Sequence, residues 1–361
     1  MLAAALLVIA GFAALYQGGN ALLSGASGLA RALGISPLVV GLTVVAFATS
    51  APELSVSVMA AVDGSPDIAV GNVLGSNIFN TLVAIGAVAA LRPIVIDAPL
   101  FRREIPLCIV ATLMAGGLAW TGGVLQRAEG GVLVAVLVSY LLFVVVQARS
   151  DPAPDKAEDG EPEAERDTKA AGIAIVGSLA ADFTAFGLPI ASALTAVNAH
   201  FHSRKGTVTV RVLAVVFGLG LLVFGSEALV NGARTLALAA GISEATVGLT
   251  VVAIGTSAPE LATALAAAKR GQNAIGVGNA LGSNLFNVLG VLGIAALIHP
   301  VTVAPGFLSV DLWVALAAVA VLLPFALRGG RVGRAAGASM CLAWIVYTTW
   351  LIARDAGTVV G

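Results

Sequence analysis

The chain has 361 residues, of which 58% are hydrophobic and 11% charged, with a formal net charge of −1 and a mean hydropathy of +0.99. A soluble fold has no way to hide that much apolar surface, so the composition describes an integral membrane protein. The near-neutral charge argues against a nucleic-acid partner. Cys108 and Cys341 both lie in apolar segments, which argues against a disulfide framework, a zinc site or redox chemistry.

The N-terminal stretch MLAAALLVIAGFAALYQGGN has no positive leader and stays apolar to about residue 30, which predicts an uncleaved first helix. Apolar runs of membrane-spanning length follow at about 37–61, 67–90, 104–121 and 129–147. A second set lies at about 209–239, 244–268, 274–297, 308–327 and 335–353. Residues 41–80 recur at 248–287, an offset of 207 with no gap, with 25 of 40 positions identical. The repeated block fills the second and third helix of each set. The expected fold is therefore an all-α polytopic membrane protein of ten transmembrane helices, with one five-helix repeat at 1–147 and another at 209–361.

An odd number of spans per repeat inverts the second repeat in the membrane, and the basic residues test this. With both termini outside, 16 of the 19 Lys and Arg residues fall on the cytoplasmic side and only Arg127, Arg234 and Arg354 outside. Segment 148–208 between the repeats opens with the acidic stretch RSDPAPDKAEDGEPEAERDTK, which reads as a solvated cytoplasmic linker. Its second part, 171–202, has helical spacing of apolar residues and reads as an amphipathic helix at the interface, since an eleventh span would make the repeats parallel.

Oxygen-bearing side chains inside the repeated apolar runs carry the chemistry. Glu53 and Glu260 sit about 16 residues into their runs with no nearby Lys or Arg in sequence. A charge at that depth costs roughly 2.5–3.5 kcal/mol on insertion scales, so its partner is expected to be a ligand. Pro52 and Pro259 precede them and predict a break at Thr-Ser-Ala-Pro that frees carbonyls from Ala46 to Ala48 and Ala253 to Gly255. Thr49, Ser50, Thr256 and Ser257 add hydroxyls.

In the third helices Asn72, Ser76 and Asn80 stand at i, i+4 and i+8, as do Asn279, Ser283 and Asn287, so each set lines one helix face. Gly71 and Gly75, with Gly278 and Gly282, supply small faces for close helix approach. Asn77 and Asn284 suit interhelical bonding and ligation equally. The donor set is all oxygen, which suits Ca²⁺ or Na⁺ rather than zinc or copper. The partners implied are inorganic cations and the lipid bilayer, with no cofactor.

These doubled motifs, T-S-A-P-E and G-N-x-x-G-S-N-x-x-N, closely resemble the α-repeats of the calcium:cation antiporter superfamily, in particular the prokaryotic sodium/calcium exchangers. The resemblance implies a Ca²⁺ site at Glu53 and Glu260 with Thr49, Thr256 and the carbonyls of Ala46 and Ala253. It implies Na⁺ sites that use Ser50, Ser257, Ser76 and Ser283. Asn80 and Asn287 stand where relatives carry Asn or Asp, and Asn287 speaks against K⁺ cotransport. The implied activity is Na⁺/Ca²⁺ antiport by alternating access in the plasma membrane, with H⁺/Ca²⁺ antiport as the rival. A passive channel fits the two inverted halves less well, and an intramembrane hydrolase lacks a base beside Ser50 or Ser257.

Overall fold

In a bilayer no water is present to bond exposed backbone, so long apolar runs must close their hydrogen bonds internally as helices. The computed structural model describes residues 1–32, 50–95, 100–150, 208–269, 273–327 and 330–359, and it is mostly helical. Ala46, Thr49 and nearly all of the central segment, 151–207, lie outside the described residues.

The first set comprises α1 (Leu2–Ala32), α2 (Ala51–Val62), α3 (Pro66–Leu91), α4 (Arg102–Trp120) and α5 (Arg127–Ser150). The second comprises α6 (Val208–Ala240), α7 (Glu244–Thr256), α8 (Ala258–Lys269), α9 (from Asn273 to Ile298), α10 (Phe307–Phe325) and α11 (Arg334–Val359). Eight of these are long and apolar enough to cross a membrane among the described residues. Of the predicted span 37–61 the described part is α2, residues 37–49 lying outside the described residues, and the predicted span 244–268 appears as the α7–α8 pair.

The offset of 207 recurs in details that the motif alignment does not reach. α3 and α9 each change to π-helix at the motif asparagine, at Asn80–Ile85 and Asn287–Val291. Leu100–Glu104 and Phe307–Asp311 are π-helical as well. Four two-residue strands follow the same rule: β1 (Ile94–Val95) matches β3 (Val301–Thr302), and β2 (Val124–Leu125) matches β4 (Arg331–Val332). They pair across the sets, with β1 antiparallel to β4 and β2 antiparallel to β3, so the loops of each half are tied to the other.

Burial separates two layers. In its most apolar window α3 is 83% buried and α9 78%, whereas α6 is only 22% buried and turns Val212, Val216, Val223 and Phe224 outward. α3 and α9 thus form the centre, with α2, α7 and α8 against them. At 33 residues α6 is about 50 Å long, well beyond a hydrocarbon core of about 30 Å, so it must tilt.

α1 and α6 pack on each other along a seam of glycines spaced by seven. A Cβ built on Gly11 would lie 2.8 Å from the Gly225 carbonyl oxygen, and one on Gly18 would lie 2.8 Å from that of Gly218. Gly25 meets the Arg211 carbonyl at 2.7 Å, and Gly232 meets that of Ala4 at 2.8 Å. These pairs run in opposite directions along the two helices, so α1 and α6 are antiparallel with their backbones in contact. Without a hydrophobic drive between helices in lipid, such close packing is what holds a helix pair together. Gly225→Leu should therefore lower the melting temperature in detergent sharply, since overpacking costs about 1–3 kcal/mol. Gly220→Leu, where a Cβ meets nothing within 4 Å, should melt like the wild type.

Candidate functional site

The helix break forms where Thr-Ser-Ala-Pro places it. Ser257 leaves the helix with φ −89° and ψ 6°, between α7 and α8, and Ser50 has the same angles just before α2. Each proline then sits in the first turn of the helix that follows, where its missing N–H costs nothing. Glu53 and Glu260 occupy those first turns as well, so the helix N-terminus faces each carboxylate region with positive dipole. The expected freeing of the Ala253 carbonyl needs correction: it accepts the Ser257 N–H at 3.0 Å, and the Thr256 hydroxyl lies 3.4 Å away. A carbonyl has two lone pairs, and a ligand would share it with these donors rather than find it bare.

Gly71 and Gly75 let the second half close on α3. A Cβ on Gly71 would lie 2.9 Å from the Leu249 amide nitrogen, and one on Gly75 would lie 2.8 Å from the Ala253 Cβ. α7 is π-helical over Gly248–Val252 along this contact. Among the described residues no atom lies within 4 Å of a Cβ on Gly282; residues 41–49, which correspond to 248–256, lie outside them.

Glu53 and Glu260 are both 0% exposed, and among the described residues neither has a basic partner. Ser257 donates to Glu53 Oε1 at 3.1 Å from the opposite repeat, and Ser283 donates to Glu260 Oε1 at 3.4 Å. Both Oε2 atoms are buried without a hydrogen-bond partner among the described residues. Thr256 donates to Asn72 Oδ1 at 3.0 Å and lies 3.4 Å from the Ser76 hydroxyl. Asn72 in turn donates to the Glu53 carbonyl at 3.2 Å and to the Ser57 hydroxyl at 2.9 Å. Glu53, Ser257, Thr256, Asn72 and Ser76 thus form one continuous cluster drawn from both repeats.

Ten buried polar side-chain atoms have no protein partner among the described residues, and eight of them belong to Ser50, Glu53, Asn80, Glu260, Asn279, Asn284 and Asn287. Random packing faults would not collect in this way, because leaving such a group unpaired costs about 1–3 kcal/mol. Five of the unpaired atoms among these residues are acceptor-capable side-chain oxygens of Glu53, Glu260, Asn80, Asn284 and Asn287, and Ser50 supplies a sixth. The other two unpaired atoms are amide nitrogens, of Asn80 and Asn279; buried oxygens in surplus over such donors are what a hard cation takes as ligands, about six to eight for Ca²⁺. No group of three or more His, Cys, Asp or Glu that could hold a metal occurs among the described residues, consistent with a mostly neutral donor set.

Asn77 and Asn284, left open between two roles, cross-brace α3 and α9. Asn77 donates to the Asn284 carbonyl at 3.1 Å, and Asn284 donates to the Asn77 carbonyl at 3.4 Å. Asn284 also reaches the Thr81 hydroxyl at 2.9 Å, while Asn287 donates to Asn77 Oδ1 at 3.1 Å and is held with its own Oδ1 free. Two further buried carboxylates went unremarked in the sequence. Tyr140 donates to Glu104 at 2.6 Å and Tyr347 to Asp311 at 2.6 Å, and both pairs are related by 207. Extending the repeat comparison beyond the motif would have found them.

The chain matches the family described as sodium/calcium exchanger protein over residues 3–146 and 210–353, two segments again 207 apart. It is 37% identical over 350 residues to the putative antiporter CaxA of Alkalimonas amylolytica, covering 96% of this chain and 98% of that protein. It is 35% identical over 363 residues to the inner membrane protein YrbG of Escherichia coli (strain K12), covering 97% and 98%. A solved structure of the sodium-calcium exchanger NCX_Mj, soaked with 10 mM Na⁺ and 10 mM Sr²⁺, matches with a TM-score of 0.58 at 26% identity over 96% of this chain and 97% of that one.

If the unpaired oxygens are cation ligands, Ca²⁺ should raise the melting temperature of the detergent-solubilised protein, since it binds only the folded form. Glu53→Gln and Glu260→Gln should each abolish that rise while melting, in chelator, at or above the wild-type temperature, because each removes an uncompensated buried charge.

Proposed function

We propose, since the chain belongs to the sodium/calcium exchanger protein family, that it is a secondary antiporter exchanging Na⁺ for Ca²⁺ by alternating access. It is a transporter and not an enzyme. The observation that carries the reading is the pair of fully buried carboxylates, one from each repeat, each with an unpartnered oxygen beside Ser, Thr and Asn side chains. Two negative charges balance one Ca²⁺ or a small group of Na⁺, and the surplus of neutral hydroxyl and amide oxygens suits Na⁺, since a proton would need only a carboxylate.

In this reading Glu53, Glu260, Thr256, Ser50, Ser257, Ser76, Ser283, Asn80, Asn287 and the Ala253 carbonyl are ligands, together with Thr49 and the Ala46 carbonyl. Pro52 and Pro259 set the helix breaks, and Asn72 and Asn279 position their neighbours. The chain crosses the membrane ten times as two inverted repeats, 1–147 and 209–361, with both termini outside and 148–208 as a cytoplasmic linker. The antiparallel packing of α1 and α6 supports the inversion. The cross-pairing of equivalent strands supports it as well.

The division into a buried centre and an outer glycine-locked pair suggests what moves. α1 and α6 share backbone contact along their length, so they slide as one body across the centre, exposing the site first to one face and then to the other. An ion that binds both states lets the pair cross, and exchange follows because the pair is held back when the charges are bare. Proteoliposomes loaded with Na⁺ and diluted into Na⁺-free medium should take up ⁴⁵Ca²⁺, and Glu53→Gln should abolish the uptake. Uptake driven by a proton gradient alone would replace Na⁺ with H⁺ as the coupling ion, and uptake with no counter-ion gradient would refute antiport.

A further inference from the structure

A hydroxyl has one proton, and a cation can use its oxygen only if that proton is spent elsewhere. Thr256, at the end of α7, meets this condition through α3. Its hydroxyl donates to Asn72 Oδ1 at 3.0 Å, a nearer acceptor than the Ala253 carbonyl at 3.4 Å. The lone pairs of the Thr256 oxygen are then left for a cation and for the Ser76 hydroxyl, 3.4 Å away.

This arrangement depends on which end of the Asn72 amide faces Thr256. The Glu53 carbonyl stands 3.2 Å from the opposite end, and a carbonyl can only accept, so that end is Nδ2. One amide hydrogen is spent on Glu53. The second goes to the Ser57 hydroxyl at 2.9 Å, the shortest of the three bonds that Asn72 makes. Ser57 can accept it because its own proton goes to the Ala69 carbonyl at 3.4 Å. Ser57 and Asn72 are both fully buried, so a partner lost here is not replaced by solvent.

Ser57 lies one turn after Glu53 on α2, but the repeat does not keep it. Glu53, Asn72 and Thr256 correspond to Glu260, Asn279 and Thr49, whereas Ser57 corresponds to Ala264, whose side chain can neither donate nor accept. Asn279 Nδ2 is without a partner among the described residues.

We propose that Ser57 is a positioning residue for the cation: by accepting the second amide hydrogen of Asn72 it holds Asn72 Oδ1 on Thr256, which turns the Thr256 oxygen toward the ion. The inference rests on the reading of Thr256 as a ligand given above. Without Ser57 the amide keeps one acceptor and loses the other, and a buried donor left unpaired favours any tilt that finds it a new partner. A tilt that brings Nδ2 toward Thr256 makes that hydroxyl accept and aims its proton at the site, where it repels a cation.

Equilibrium binding of ⁴⁵Ca²⁺ to the detergent-solubilised protein tests the relay. Ser57→Ala should raise the Kd about fivefold, the worth of one such hydrogen bond. Thr256→Val should raise it as well. Since Ser57 acts through the Thr256 hydroxyl, adding Ser57→Ala to Thr256→Val should change the Kd no further, whereas a merely structural serine would raise it by the same factor in both backgrounds. Ser57→Cys, which keeps the bulk but accepts weakly, should match Ser57→Ala and serves if that variant does not fold. An unchanged Kd in the Ser57 variants, an unchanged Kd in Thr256→Val, or equal factors in both backgrounds would overturn the relay. Wild type that binds no ⁴⁵Ca²⁺ would overturn the site and the relay together. Wild type that binds ⁴⁵Ca²⁺ but shows no Na⁺-driven uptake in proteoliposomes would overturn antiport alone.

Discussion

Two carboxylates with no basic partner among the described residues, each wholly buried in the centre of a membrane-embedded helix cluster, constrain everything around them. A lone charge in that setting carries a penalty of several kcal/mol, which must be offset by a bound cation, by protonation or by concentrated dipoles. The chain supplies the dipoles it can. Both glutamates occupy the first turn of a helix, serine hydroxyls donate to one oxygen of each, and the second oxygens are left over. A partly compensated pair of this kind is stable enough to fold and leaves two oxygens for a positive ion, which is the property the proposed carrier requires.

The remaining architecture follows from holding such a site at depth while allowing access to it. Breaking α7 from α8 at Ser257, and starting α2 after Ser50, requires irregular backbone that survives only when surrounded by protein. α3 and α9 provide that surround. Gly71 and Gly75 let α7 approach α3 to backbone contact, and the Asn77–Asn284 cross-brace fixes the two central helices to each other. The π-helical turns beginning at Asn80 and Asn287 come at equivalent points, each rotating the helix beyond the asparagine relative to its motif face. Outside this rigid centre, the glycine seam makes α1 and α6 one body with a largely lipid-facing surface.

Much of this was legible in the residues. The repeat at offset 207, the proline break and the asparagine–serine face on the third helices are local patterns, and local patterns survive translation into structure. What stayed hidden depends on pairing between elements far apart in sequence. The heptad-spaced glycines of α1 and α6 are visible individually, but only the antiparallel packing reveals Gly11 opposite Gly225. The proline rule predicted a bare Ala253 carbonyl, yet the chain turns at Ser257 so that its own N–H closes on that oxygen. The bond from Thr256 to Asn72 joins residues 184 positions apart, and Ser57, which supports it, stands where the other repeat has Ala264, so repetition gave no signal for that serine.

The central claim is that Glu53 and Glu260 bind one divalent ion jointly, although they come from different repeats. Anomalous diffraction from crystals soaked in Sr²⁺ at low Na⁺ tests this most directly. The account predicts a single strong peak within ligand distance of both Oε2 atoms and of the Thr256 hydroxyl. A peak held by one glutamate alone, or two separate peaks with one at each carboxylate, would contradict it.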